Sequence, residues 1–204
     1  MKQNVVLIAT ALLFGLLALS SCESTGETKK PTLSVTAPFT QKFEGKLDIA
    51  AFNQSAARAA ATNANATTFL RADDERVMFD KVMSWDLTKV AKDNGFASFN
   101  FTKLDVNKIT LRVIEPKDLN LAFFETVRIY AGADYKLIAE GKMTDMSTAE
   151  LSVKDPNLLP FLKVDQMPIK VTTTQYAPIE IDPGVAQYLT FELEFYVTGR
   201  ISQK

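Results

Sequence analysis

The chain predicts a mainly β fold, an antiparallel β-sandwich with one or two short helices. Three observations carry that expectation. Apolar residues recur with a period of two along many short runs, which places alternate side chains on opposite faces of a strand. Turn-forming Gly, Pro, Asn and Asp residues punctuate those runs. No amphipathic helix of the length that a parallel βαβ crossover needs lies between them.

The elements follow in order. Leu33, Val35 and Ala37 alternate with polar residues until Pro38 interrupts, as on an edge strand. Phe43, Gly45, Leu47, Ile49 and Ala51 then alternate with charged or polar neighbours and predict a half-buried strand. Residues 53–68 are rich in Ala, Asn and Thr, without a large apolar side chain to bury, and predict an exposed loop or frayed helix. Asp73, Asp74 and Glu75 lack the alternating ligands and mid-loop glycine of a calcium loop, so they predict a solvated turn.

Val77 to Met83 reads as another strand. Asp86 is placed to cap a short helix with Leu87, Val90 and Ala91 on one stripe, and Gly95 to end it. Trp85 is expected to pack on Val90 or Ala91. Further strands carry Phe99 and Phe101, then Ile109, Leu111 and Val113, then Phe123, Val127 and Ile129. Gly132 and Asp134 mark a hairpin into Lys136–Met143. Leu151 and Val153 form a short strand. Asp155 and Pro156 then predict a one-turn helix that Pro160 ends. Ile169, Val171 and Thr173 make a strand. In the last strand Leu189, Phe191, Leu193, Phe195 and Val197 share a face, which belongs against a core.

The N-terminus has a different character. Lys2 precedes an uncharged apolar run, Val5 to Leu19, of 15 residues. That is shorter than the ~20 residues of a membrane-spanning helix and matches the apolar region of a secretory signal. Leu19-Ser20-Ser21-Cys22 follows. This resembles the lipobox of bacterial lipoproteins, with Leu at −3, small residues at −2 and −1, and the cysteine to be acylated. The resemblance implies cleavage after Ser21, a diacylglyceryl group on Cys22, and an envelope protein held at the outer membrane. Residues 1–21 would be the signal peptide, 22–32 a flexible tether and 33–204 the folded domain, with a subdivision near residue 102 as the alternative. Two or three acyl chains would anchor it stably, whereas a single chain anchors only marginally.

The stretch from Lys103 to Ile201 is similar to Ig-like β-sandwich lipoproteins of Bacteroidota. The similarity rests on its strand spacing, the DPNLLPFL turn and the long last strand. It implies an Ig-like sandwich and transfers no site.

Composition narrows the chemistry. Removing residues 1–21 takes one lysine and no acidic residue, so 23 basic residues become 22 against 24 acidic ones, a net charge of −2. A nucleic-acid partner is therefore not expected. Cys22 is the only cysteine, and lipidation would consume it, leaving no disulfide. The chain has no histidine, which removes histidine-based nucleophile systems and histidine-ligated metals. No cofactor or metal site is expected.

Three candidate features remain. Glu192 and Glu194 lie two apart on one strand face, the arrangement a carboxylate pair would need, although a polar Thr/Glu/Tyr face is what a solvated sheet surface presents. Ser152 and Lys154 lie close in sequence without the helical setting of a Ser–Lys nucleophile. Tyr130, Tyr135, Tyr176, Tyr188 and Tyr196 are candidates for exposed contacts with a sugar or protein. The expectation is a non-enzymatic lipoprotein that binds or scaffolds an envelope partner. The alternative is a carbohydrate- or lipid-binding lipoprotein serving nutrient capture. Periplasmic and surface orientations stay open.

Overall fold

The computed structural model describes residues 33–54, 75–117, 119–144, 146–175, 178–181, 184 and 186–203. Cys22, the tether, most of the Ala/Asn/Thr-rich segment, Asp73, Asp74 and Tyr176 lie outside them. All described residues belong to the unit Thr32–Lys204.

Among the described residues eight strands form the fold: β1 Ser34–Asp48, β2 Arg76–Ser84, β3 Phe99–Glu115, β4 Phe124–Ala131, β5 Lys136–Lys142, β6 Thr148–Val153, β7 Gln166–Gln175 and β8 Tyr188–Gln203. Every pairing is antiparallel. The strands run in one hydrogen-bonded order, β1-β8-β3-β6-β5-β4-β7-β2. The expected antiparallel class is found, but as a single sheet that curls towards a barrel. The strand that allows this is β6. Its first part, Thr148–Leu151, pairs with β3, and Ser152 and Val153 pair with β5.

The core follows from the period of two. β8 lies between β1 and β3, and Leu189, Phe191, Leu193, Phe195 and Val197 are all buried, as their alternation requires. They meet Val127, Ile129, Ile169 and Val171 from the other half of the sheet in one cluster. β3 continues past residue 102, with a bulge there between Phe101 and Lys103. Its buried residues change parity between Val106 and Ile109, and a bulge between Val106 and Lys108 supplies the extra residue.

Several expectations are corrected. β1 continues through Pro38, whose missing N–H is tolerated on the outermost strand of the order. Ile49 and Ala51 do not prolong that strand. They begin helix α1, residues 49–54, because the Asp48 carboxylate accepts a 2.8 Å hydrogen bond from the Ala51 N–H and caps the turn. In β4 it is Phe124 that is fully buried, with Phe123 only partly so. A bulge between Phe124 and Thr126 sets that register. The one-turn helix after Pro156 is a 3₁₀ turn, Leu159–Phe161, that contains Pro160 in its first turn. Asp155 and Asn157 instead use their side chains to accept from the N–H groups of Asn157 and Leu159.

Helix α2, Leu87–Asp93, is built as expected. Asp86 accepts from the Lys89 N–H at 3.1 Å. At its other end Gly95 (φ +85°) and Phe96 return hydrogen bonds to Lys92 and Ala91, a Schellman closure. Trp85 does not join Val90 and Ala91, although Leu87 at the start of the helix shares its cluster. The indole lies in the main core against Phe43, Phe195 and Phe39, at ring separations of 5.4, 5.6 and 6.5 Å. Ala91 packs in a separate small cluster with Ala37, Phe96 and Ile201.

Candidate functional site

Because core residues take the inward positions, the polar residues between them are displayed on two outer faces. The first face spans β1, β8 and β3 and carries Glu192 and Glu194. Lys42 lies 3.4 Å from the Glu192 carboxylate and 3.2 Å from that of Glu194, and Arg112 reaches Glu192 at 2.7 Å. The Tyr196 hydroxyl donates to Glu194 at 2.8 Å. Partial burial pushes the Glu194 carboxyl up, but the Tyr196 hydroxyl and the Lys42 ammonium outweigh it and hold it below the usual glutamate range. A general acid at neutral pH needs the opposite shift. This carboxylate pair is an ion-pair lattice on a sheet surface.

The second face spans β2, β7, β4, β5 and β6. Outward positions on β4 present Thr126, Arg128 and Tyr130 in succession. Strand β7 presents Lys170 beside Tyr130 and Thr172 beside Arg128. The hairpin between β4 and β5 turns through Gly132 (φ +80°), and Tyr135 closes it in the left-handed region at φ +49°. That conformation carries Tyr135 over Lys170. The Lys170 ammonium is 4.0 Å from the Tyr135 ring centroid and 5.3 Å from that of Tyr130, within cation–π range.

Each tyrosine hydroxyl is fixed by a carboxylate of β2 or its leading residue. Tyr135 donates to Asp80 at 2.7 Å, and Tyr130 donates to Glu75 at 2.8 Å. Glu75 also accepts from Thr172 at 2.9 Å and is paired with Arg128. Burial pushes the Glu75 carboxyl up, and the Tyr130, Thr172 and Arg128 donors together reverse it, holding the group below the usual range. Burial and the Glu75 charge both push the Tyr130 phenol up. Arg128 turns its Nε to Glu140 at 3.4 Å, and Lys154 meets Glu140 at 3.0 Å.

Beyond this chain of charges, Thr126, Arg128, Glu140, Lys142, Ser152 and Lys154 surround an open groove of about 310 Å³ with the Gly141 backbone at its side. A second cleft, about 400 Å³, lies between α1 and Ile179, Ile181, Ala186 and Gln187. Ile49, Ile179 and Ile181 contribute its apolar wall, and Asn53 exchanges two hydrogen bonds with the Ile179 backbone there.

The structure thus brings Tyr130 and Tyr135 together. It places Tyr188 and Tyr196 on β8, away from them in the strand order. The Ser152 and Lys154 pair lines the groove, with Lys154 committed to Glu140. Lys170, Arg128, Glu75 and Lys142 carry the site; sequence reasoning misses Lys170, Arg128 and Lys142 and reads Glu75 only as part of a solvated turn. Their signal is only that each falls at a polar position beside an alternating strand. Among the described residues, no cluster of acidic or cysteine side chains is placed to hold a metal ion, and no helix is long and apolar enough to cross a membrane. The chain matches no family model, and no curated protein matches it significantly.

Proposed function

We propose that the chain is a lipid-anchored protein of the bacterial cell envelope, at the outer membrane, whose domain 33–204 binds or scaffolds a partner without catalysing a reaction. The anchor reading rests on Leu19-Ser20-Ser21-Cys22 behind the apolar run. The binding reading rests on one observation, the platform in which Tyr130 and Tyr135 flank Lys170 on an outer sheet face. Tyrosines whose hydroxyls are already fixed present rings at little further entropic cost, which is what a contact surface needs. An Ig-like sandwich is part of this proposal. In support, β6 divides its pairing between the two sides of the sheet, as a corner strand does.

Two measurements test it. Cys22→Ser should stop acylation and leave the precursor at its unprocessed mass. A variant that still matures and sediments with membranes would sink the anchor reading. A photo-cross-linker placed at Tyr135 should trap a partner in intact cells, and one at Thr110 on the other half of the sheet should not. Equal trapping from both positions would remove the platform from the argument.

A second reading, glycan binding for nutrient capture, is favoured by the groove beside Tyr130, which combines charged groups, hydroxyls and a neighbouring aromatic ring. Protease treatment of intact and lysed cells separates the two. Digestion before lysis favours surface capture, and protection until lysis favours a periplasmic scaffold.

A further inference from the structure

We infer that the groove over β4, β5 and β6 binds an acidic polysaccharide through its carboxylate or sulfate groups. The inference rests on the glycan reading of this face and names the ligand class.

The charge count of the groove comes first. Glu75, Arg128, Glu140 and Lys154 form a chain of alternating sign, each joined to the next. That chain is internally neutral. Lys142 adds a positive charge, and among the described residues its ammonium has no ion-pair partner. The groove is therefore locally cationic on a chain whose net charge is −1. An anion gains there what it would lose over most of the surface.

The arrangement of those charges selects an extended ligand over a small ion. Glu140 faces Ser152 across β5 and β6, and Thr126 faces Lys142 across β4 and β5. Lys142 is two residues beyond Glu140 on the same face, and Lys154, the residue just after β6, salt-bridges Glu140. The two ammonium groups thus flank a carboxylate, and a compact anion bridging them would meet its charge. A sugar chain avoids that conflict. Its acidic groups can be spaced to reach Lys142 and Lys154, while its hydroxyls donate to Glu140 and exchange hydrogen bonds with Ser152 and Thr126. Tyr130, the next outward residue of β4 after Arg128, carries an aromatic ring on the same sheet face. Charged and hydroxyl-bearing residues line the groove rather than apolar ones, so an acyl chain would meet only the aliphatic stems of charged side chains.

The test uses the full chain in detergent micelles, with chondroitin sulfate as probe and neutral dextran as control, by calorimetry at low and high salt. Chondroitin sulfate should bind, dextran should not, and added salt should weaken the complex. The double variant K142Q/K154Q should bind about tenfold more weakly with a shallower salt dependence. Lys89→Gln on α2 should change nothing. An unaltered thermal midpoint for the double variant would show that it is folded.

Equal affinity of the double variant and the parent would overturn the inference, as would equal binding of dextran. Inorganic sulfate binding as tightly as the polymer would mean a small-ion site instead. Tighter binding to vesicles of equal parts phosphatidylglycerol and phosphatidylcholine would mean a membrane contact. If any of these occurs while the cross-linker at Tyr135 still traps a partner, only the ligand class is lost and the binding reading survives.

Discussion

The ring of Phe79 occupies the space over Gly45 that a side chain there would fill. A Cβ built on Gly45 would fall 2.5 Å from Phe79 Cε1 and 2.8 Å from its Cζ. The two residues belong to β1 and β2, the opposite ends of the strand order. Their contact therefore brings together edges that no hydrogen-bond ladder joins. Gly45→Ala should cost about 1–3 kcal/mol, because the buried ring has little room to retreat. Phe79→Ala should cost about 3–5 kcal/mol by opening a cavity. The two losses should not add, since removing the ring makes room for the methyl. Urea unfolding of both single variants and the double variant checks this, and strict additivity would mean the ring does not pack on Gly45.

A second prediction concerns pH. The Glu75 carboxyl is held below the ordinary glutamate value of 4.5, so its contribution is present above that value and lost as pH falls through the lowered one. The Tyr130 phenol is pushed above its ordinary 10.0, so its contribution is present below that value and lost as pH rises through the raised one. Stability should therefore show a plateau between acid and alkaline losses. Tyr130→Phe should shrink the alkaline loss and also the acid loss, because Glu75 loses a donor. Urea midpoints across pH decide it, and a Tyr130→Phe profile parallel to that of the parent would count against the coupling.

How much of this was legible in the sequence depends on what each feature needs. The inward face of β8 needs only alternation, and Leu189 to Val197 supply it without interruption. The cap at Asp86 and the turn at Gly95 are equally local. The path after Asp48 reads as strand, because Leu47, Ile49 and Ala51 satisfy a strand period, and the competing pull of Asp48 as a helix cap is missed. Only the structure decides between them. Bulges hid the identity of the buried phenylalanine in β4, since one extra residue reverses the parity. The platform was out of reach. Tyr130, Tyr135 and Lys170 meet only because β7 lies beside β4, and strand order is not written in any one strand.

Trp85 offers a further test. It is the only tryptophan and is 3% exposed, so native emission should be blue-shifted and shift red on unfolding. Among the described residues its indole N–H has no hydrogen-bond partner, and Phe39, Phe43 and Phe195 pack around it. Burying that donor costs stability. Trp85→Phe removes the cost along with some packing, and should be markedly milder than Trp85→Ala at about 3–5 kcal/mol. Equal losses in the two variants, measured by urea unfolding, would argue that the N–H is satisfied in solution.

Gly95 isolates a backbone effect. Among the described residues, a Cβ at this position meets nothing within 4 Å, so the loss in Gly95→Ala is expected to arise from its φ of +85°. The expected cost is about 1–2 kcal/mol, with Gly95→Asn milder because asparagine tolerates the left-handed region. Thermal unfolding of the two variants should rank them in that order.

Lys42 controls the other sheet face. It bridges Glu192 and Glu194, whereas Arg112 reaches only Glu192. In Lys42→Ala, Glu192 keeps the Arg112 ion pair, while Glu194 keeps the Tyr196 hydroxyl and only the more distant charge of Arg112. The burial that pushes Glu194 up would then be less fully opposed, and its carboxyl should titrate at higher pH than in the parent. Carboxyl NMR titration of the two proteins reads this directly. An unchanged Glu194 would mean that Tyr196, rather than Lys42, holds it down, and Tyr196→Phe should then produce the upward shift instead.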